Sequence, residues 1–237
     1  MLLQKHCADL ESFSASSFLF GFLNLFLLKK EKGLSGASTE RGPTMQQRKL
    51  IEFMAAIEKL KCNTRHSWTS TGRRESVAEH SWRLATMAML CRDAFPHADI
   101  DKVIRMCLVH DWGEAITGDI PAFDKTDAHE REEEHAVERL LSMLDEPYRT
   151  ELTVLFAEMN ALETEEAKLY KALDKMETLL SHNEAPLDTW LPLEYEANLT
   201  YGQEQVDHSA WLKVLKDEIK QDSLEKIQKN TPKRVHN

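Results

Sequence analysis

The amino-acid sequence predicts an all-α protein, and three observations support this fold class. Helix-breaking residues are few, with 8 Gly and 7 Pro in 237 residues. Runs of Val, Ile and Thr, which favour strands, are nearly absent. From Met45 onward, apolar residues recur at helical spacing. We predict helices at residues 46–60, 76–94, 100–117, 127–145, 147–160, 164–183 and 203–228.

Composition and charge limit the classes of partner. An apolar fraction of 42% is sufficient for a core, and 237 residues suffice for one large domain or two small ones. The net charge of −10, without a basic patch, disfavours a nucleic-acid polymer as a partner. A small anionic substrate stays compatible with this charge, because one bound metal ion can reverse the local field.

The four cysteines indicate the compartment. Cys7, Cys62, Cys91 and Cys107 show no C-x-x-C spacing, and the last two lie within apolar helical patterns. We interpret these two as buried free thiols, which are typical of a reducing compartment. We therefore expect a cytoplasmic protein.

The first 44 residues differ in composition from the rest. The run SFLFGFLNLFLLKK (residues 17–30) is too short for a confident membrane span and has the wrong flanks for a signal peptide. GLSGASTERGPT (residues 33–44) reads as a linker. We predict an N-terminal appendage at 1–44, translated from an upstream start codon, and one domain at 45–237. The alternative is a weak membrane-surface anchor.

The helix predicted at 76–94 begins with SVAEH, which has the pattern of a capping box. Ser76 can accept a hydrogen bond from the backbone of Glu79, and Glu79 can reach back to the backbone of Ser76. The apolar stripe through Leu84 and Ala88 continues upstream to His80. We therefore expect His80 to point inward at one end of the core.

The helix predicted at 100–117 ends in LVHDWGEAITGDIP (residues 108–121), which places polar groups at the end of an apolar run. His110 and Glu114 are four residues apart, and Asp111 and Glu114 are three apart, so the three share one face. Gly118 is a plausible helix end, and Asp119 then follows in the loop.

The helix predicted at 164–183 carries Asp174 at the edge of its core stripe, with Glu177 as its neighbour three residues later. Together, His80, His110, Asp111 and Asp174 offer two imidazoles and two carboxylates, a set that suits a first-row divalent cation. The alternative is that each is a satisfied polar residue at a helix end.

Other acidic and histidine-rich segments favour a structural interpretation. In HEREEEH (residues 129–135) the two histidines are six apart and lie on different helix faces, so we predict a solvated surface; Glu133 or Glu134 near the site is the alternative. The remaining histidines show no partner pattern and are interpreted as surface or core residues: His66, His97, His182, His208 and His236. The segment 185–202 is predicted to be irregular and to fold over a site or a partner subunit.

Three segments carry a resemblance to a known family. RRESVAEHSWRLATMAM, CLVHDWGEAITGDIPA and LYKALDKMETLL resemble the 5′-deoxynucleotidase branch of the HD-domain superfamily of metal-dependent phosphohydrolases. The resemblance covers roughly residues 48–225. It implies a helical bundle with the metal site between helices, and a homodimer.

The resemblance also implies roles for individual residues. The metal ligands would be His80, His110, Asp111 and Asp174. Glu114 and Asp119 fall at the catalytic carboxylate positions, with Asp119 also available to the sugar, and Arg65 matches a phosphate-contacting arginine. This sequence departs from the family at His66, where bacterial relatives often carry tryptophan, and this leaves the sugar and base contacts open; Trp68 is a candidate substitute.

The resulting hypothesis is a phosphomonoesterase that releases phosphate from (deoxy)ribonucleoside 5′-monophosphates. Its cofactor would be a divalent metal ion, Mn or Co or another first-row metal, with Mg or Zn as further candidates. One alternative is another HD-type reaction, on a triphosphate or a cyclic nucleotide. The other is a metal-stabilised binding protein without turnover.

Overall fold

The computed structural model describes residues 44–230, and this part of the chain is almost entirely helical. Its helices, numbered here in chain order, are α1 (Gln47–Ile57), α2 (Val77–Leu90), α3 (Ile100–Val109), α4 (Glu114–Thr117), α5 (Asp127–Leu141), α6 (Tyr148–Ala161), α7 (Glu165–Glu184), α8 (Glu194–Thr200), α9 (Gln203–Val206) and α10 (Ala210–Asn230). Short 3₁₀ turns lie at Glu58–Lys61, Arg92–Ala94 and Leu187–Thr189. The all-α prediction is confirmed.

A two-stranded antiparallel hairpin, β1 (Thr64–Trp68) and β2 (Arg74–Ser76), was not predicted. The pairing is irregular, with Thr64 opposite Ser76 and Trp68 opposite Arg74. Strands of five and three residues are too short for a periodic apolar pattern to reveal them. The hairpin matters for the site because it carries Arg65 and leads directly into α2.

The core lies where α2, α3 and α7 pack against one another, because each buries a continuous apolar stripe. Leu84 on α2, Val103 on α3 and Leu173 on α7 are fully buried in it. Helices α9 and α10 pack against α7, and the short α8 packs against α10. Cys91 and Cys107 are buried free thiols, as predicted.

The segment predicted as one helix at 100–117 is broken, and this corrects the sequence-based boundary. Helix α3 ends at Val109, the chain turns through residues 110–113, and α4 begins at Glu114. A side chain at Gly113 would place its Cβ 2.7 Å from Glu133 Cγ and 2.9 Å from the Glu133 carbonyl oxygen. The glycine therefore allows α5 to approach this turn closely, and the turn redirects the polar residues on either side of it.

The segment 185–202 is less irregular than predicted, because it contains α8. It packs over the C-terminal half of α7, where Trp190 donates from its indole Nε1 to the carbonyl of His182. Within residues 44–230, no helix is long and apolar enough to cross a membrane. The predicted appendage at 1–44 falls almost entirely outside the described residues and stays a prediction.

Candidate metal centre

Four side chains from three parts of the fold converge at one point between α2, α3 and α7. His80 Nε2 lies 3.2 Å from His110 Nε2 and 3.3 Å from Asp174 Oδ1. Asp111 Oδ2 lies 3.0 Å from His110 Nε2 and 3.8 Å from His80 Nε2, and His110 Nε2 is 3.8 Å from Asp174 Oδ1. The structure thus brings together all four residues that the sequence singled out.

His80 is positioned by the capping box at the start of α2. The hydroxyl of Ser76 accepts from the backbone N–H of Glu79, and the Glu79 carboxylate accepts from the backbone N–H of Ser76. This places His80 one turn into the helix with a fully buried ring. Its Nδ1 hydrogen-bonds Glu177 on α7, so Nε2 faces the other three donors.

His110 is oriented by a bond within its own turn. Its Nδ1 lies 2.9 Å from the carbonyl oxygen of Cys107, and a carbonyl can only accept, so Nδ1 carries the proton. Nε2 of His110 is then a free lone pair in the neutral ring, as is Nε2 of His80 when its Nδ1 donates to Glu177. The two Nε2 atoms face each other at 3.2 Å, so a metal ion bound by both rings would lie between them.

The two aspartates offer one oxygen each to the same point. On Asp174, Oδ1 faces the histidines while Oδ2 is held by Lys171 and Lys175, both at 3.3 Å. Burial alone would raise the pKa of Asp174, but the two lysines and the histidines outweigh it and lower this pKa well below its ordinary value. Asp174 therefore stays ionised, as a metal ligand must be.

The donor set fits a divalent cation. Ligand atoms at about 2.0–2.2 Å from an ion, spaced by 90–110°, lie about 2.8–3.6 Å from one another. The observed separations of 3.0 to 3.8 Å fall within or just beyond this range. Mixed imidazole and carboxylate donors suit first-row metals.

Two further carboxylates lie beside this centre, as the sequence predicted. Glu114 is 5% exposed, and its Oε2 has no hydrogen-bond partner within residues 44–230. Burial, together with the charges of Asp111, Asp119 and Glu133, raises the pKa of Glu114 to about 10. Burial also raises the pKa of Asp119, although Arg65 and the backbone amide of His66 partly offset this.

Arg65 lies on β1 with its guanidinium buried next to the centre. It donates to Thr178 Oγ1 at 3.2 Å and lies 3.5 Å from both Glu75 and Glu177. Burial lowers the pKa of Arg65, but the surrounding carboxylates, Glu177 foremost, outweigh it and raise the pKa. The side chain is thus a permanent cation that lines a cavity opening beside the metal centre.

Sequence reasoning misplaced or missed several residues here. Glu177 was predicted only as a neighbour of Asp174; in the structure both face the ring of His80, with Glu177 at Nδ1 and Asp174 at Nε2. The two lysines that hold Asp174 were missed, although their spacing to Asp174, three positions before and one after, was visible. HEREEEH is largely exposed, as predicted, but Glu133 lies within reach of Asp111 and Glu114, so the alternative noted for it is the correct one.

Two histidines interpreted as lacking partners share an acidic partner. His66 Nε2 lies 3.4 Å and His182 Nε2 3.9 Å from Glu194 Oε1. Only the tertiary structure brings these three residues together. Trp68 packs edge-to-face on His66 and lies under the guanidinium of Arg74, and it is not among the residues that line the cavity beside Arg65.

The fold and the site define a helical protein with a buried imidazole–carboxylate metal centre. Among protein families, the HD domain (HD_3) matches residues 57–215, and this chain belongs to that family. All four converging donors, together with Glu114, Asp119 and Arg65, lie inside the matched range.

Named relatives agree with this assignment. The chain is 39% identical over 140 residues to the 5′-deoxynucleotidase HDDC2 of Mus musculus, covering 57% of this chain and 69% of the mouse protein. It is 37% identical over 142 residues to the human protein of the same name, covering 58% and 68%.

Solved structures show the same fold. A predicted metal-dependent phosphohydrolase of Magnetospirillum magnetotacticum superposes with a TM-score of 0.65 at 30% identity, covering 76% of this chain and 92% of that one. A conserved hypothetical protein of Pyrococcus furiosus gives a TM-score of 0.59 at 28% identity, covering 72% and 99%.

Proposed function

We propose that this protein is a metal-dependent phosphohydrolase that releases phosphate from (deoxy)ribonucleoside 5′-monophosphates. The observation that carries the proposal is the buried Arg65 beside the four converging donors, with Glu114 and Asp119 next to them. A purely structural metal site needs its ligands but no arginine and no extra carboxylates. The relatives named 5′-deoxynucleotidases supply the substrate class.

The metal would be held by His80, His110, Asp111 and Asp174. Mn or Co suits this donor set, with Mg or Zn as further candidates. When bound, such an ion supplies Lewis acidity, which polarises a phosphoryl oxygen and makes water more acidic.

Three side chains around the metal site have separate roles in the proposed reaction. Arg65 binds the phosphate with parallel N–H donors, which fixes the phosphorus next to the centre. Water adds to phosphorus as the bond to the 5′-oxygen breaks, so that oxygen needs a proton. Glu114 is suited to supply it, because it is buried beside Asp111 and its Oε2 has no hydrogen-bond partner within residues 44–230. Asp119, in the loop after α4, orients the sugar or the attacking water.

Phosphate release from a panel of nucleotides tests the proposal. The panel holds deoxy- and ribonucleoside 5′-monophosphates, a triphosphate and a cyclic nucleotide, with added Mn or Co. We expect release from the monophosphates, suppressed by EDTA and absent in His110→Ala. Turnover of only the triphosphate or the cyclic nucleotide would replace the proposed substrate, and metal binding without any release would indicate a binding protein. A homodimer and a cytoplasmic location stay predictions from sequence.

A further inference from the structure

A cavity of about 300 Å³ is lined by Arg65 but by none of the four converging donors. Its walls come from β1, the loop after α4, α7 and α8, and they combine polar and apolar side chains, among them Ser67, Asp119, Phe123, Glu194, Asn198 and Tyr201. Its volume lies at the lower end of the range of about 300–1,000 Å³ typical of small-molecule sites.

Three residues that line this cavity have a buried side-chain atom without a hydrogen bond within residues 44–230; one is His66, whose Nε2 only approaches Glu194 Oε1, at 3.4 Å, and the other two are Ser67 and Asn198. Ser67, 2% exposed, and Asn198, 3% exposed, each leave a side-chain atom without a hydrogen bond within residues 44–230: Oγ of the serine and Nδ2 of the asparagine. Buried polar groups are almost always hydrogen-bonded, because leaving one unpaired costs about 1–3 kcal/mol. Three such groups lining one cavity indicate a ligand that pairs with them, and Ser67 and Asn198 are the two that are also almost fully buried.

The asparagine is held rigidly in place. Its Oδ1 lies 3.0 Å from His182 Nδ1, so one atom of the amide is already used and the other stays unpaired. Helix α8, which carries it, is anchored by the buried Lys216, whose Nζ donates to the carbonyls of Asn198 and Leu199 at 3.4 Å. The loop between α7 and α8 is tied down where Glu194 accepts from the backbone of Leu191 at 2.7 Å. A group fixed in this way can discriminate between ligands.

A second cavity, of about 740 Å³, touches the metal centre from the side of His110. It is lined by four glutamates of α5 and does not include Arg65: Glu130, Glu133, Glu134 and Glu138. Of its cations, Lys125 is paired with Glu133, Lys171 with Asp174 and Arg149 with Glu146. A phosphate held by Arg65 therefore directs the rest of its ester into the smaller cavity.

We propose that the cavity beyond Arg65 is a nucleobase subsite in which Ser67 and Asn198 hydrogen-bond the polar edge of the base and determine base preference. Phe123, whose ring packs edge-to-face on His66 at 5.6 Å, and Tyr201 supply apolar walls for the face of the base. This inference rests on the proposed nucleotidase function and adds to it the residues that select the substrate.

Steady-state kinetics on substrates with and without a base test the inference. The substrates are the four deoxyribonucleoside 5′-monophosphates and 2-deoxyribose 5-phosphate, which keeps the sugar and phosphate and lacks the base. The variants are Ser67→Ala, Asn198→Ala and Asn198→Asp. Asn160→Ala is the matched control, because it removes an exposed amide from the other cavity.

Each alanine variant should lower kcat/KM for the preferred base about tenfold to a hundredfold, which corresponds to one lost buried hydrogen bond. The value for 2-deoxyribose 5-phosphate should stay within about threefold of the wild-type value. Asn198→Asp, which replaces the amide NH₂ with oxygen at nearly constant size, should change the order of preference among the bases. Asn160→Ala should behave as wild type.

Two results would overturn the nucleobase subsite but leave the proposed nucleotidase function intact. In one, the four nucleotides keep their wild-type ratios in every variant. In the other, all substrates, including the base-free ester, decline together, which would assign Ser67 and Asn198 a structural role. A wild-type enzyme that hydrolyses none of the four nucleotides would instead refute the proposed function. Thermal unfolding of each variant separates misfolding from loss of recognition, and Ser67→Ala, which removes one buried oxygen, is the least disruptive.

Discussion

Replacing Glu114 with glutamine should have opposite effects on turnover and on stability, because it exchanges one carboxylate oxygen for an amide nitrogen. In the holoenzyme, Glu114→Gln keeps the shape and the metal ligands but cannot transfer a proton. General acid–base groups typically contribute about 10²–10⁴-fold to a rate, so we expect kcat to fall by about this factor with metal content unchanged. Metal analysis of the purified variant is measured alongside its turnover.

The same substitution should stabilise the metal-free protein. Glu114 has a pKa of about 10 when folded and an ordinary value of 4.5. Between these values the folded state binds a proton that the unfolded state releases, so stability falls as pH rises through this window. At pH 7, which is 2.5 units above 4.5, keeping Glu114 protonated in the fold lowers the free energy of unfolding by about 3 kcal/mol, since each unit corresponds to about 1.4 kcal/mol. Glutamine removes this cost, and about 3 kcal/mol is an upper bound because its amide is also left unpaired.

Urea unfolding of EDTA-treated protein at pH 5 and pH 8 measures this effect. Other groups titrate in the same range, so the informative quantity is the difference in unfolding free energy between the two proteins. We expect glutamine to be more stabilising at pH 8 than at pH 5. A difference that is independent of pH would show that Glu114 ionises normally in the fold, and a turnover within a few-fold of wild type would show that it does not carry the proton.

Four further predictions concern the metal, the fold and the N-terminal segment. His110→Ala and Asp111→Ala should each lose both bound metal and turnover; a variant that keeps its full metal content refutes the ligand assignment. Removing the metal with EDTA should lower the wild-type melting temperature by roughly 5–10 °C, since a ligand at a hundred times its Kd stabilises by about 2.7 kcal/mol, and leave that of His110→Ala unchanged. Gly202→Ala should lower the free energy of unfolding, measured in urea, by about 2–4 kcal/mol, because the residue has φ +75° and its new Cβ would lie 2.7 Å from neighbouring side-chain atoms. Gly72→Ala is the control. It has φ +82° but lies in open space, so it should lower the free energy of unfolding by only about 1–2 kcal/mol. Deleting residues 1–44 should leave phosphate release intact, because every proposed site residue lies downstream; loss of activity would place that segment in the domain.

Helices with a strong apolar stripe could be predicted from sequence, and short or interrupted elements could not. Helix α7 matches its predicted range to within one residue at each end, because twenty residues give several turns of consistent pattern. The turn after α3 was missed because no helix-breaking residue precedes Gly113 within the predicted helix, and the close approach of Glu133 to Gly113 is a tertiary contact that the sequence does not show. The hairpin was missed because its strands of five and three residues are too short to show an alternating pattern of apolar and polar residues.

The convergence of these four residues could be predicted because each lies at the end or along the edge of an apolar stripe. His80 and Asp174 each continue or border such a stripe, and a polar group in that position needs a partner. Groups such as His66, His182 and Glu194 lack this signal. They come from three separate segments and meet only through the packing of α8 on α7, so no local pattern in the sequence joins them.

Glu177 connects the cluster of four converging donors with Arg65. Its side chain is fully buried, bonds His80 Nδ1 and lies 3.5 Å from the guanidinium of Arg65. Through His80 it orients a metal ligand, and through Arg65 it helps to hold the group proposed to bind phosphate. A buried carboxylate that contacts neither metal nor substrate would be costly if it were unpaired, and here it is paired with both partners. With the proposed roles of His80 and Arg65, one buried residue of α7 therefore sets the metal-binding and phosphate-binding groups relative to each other.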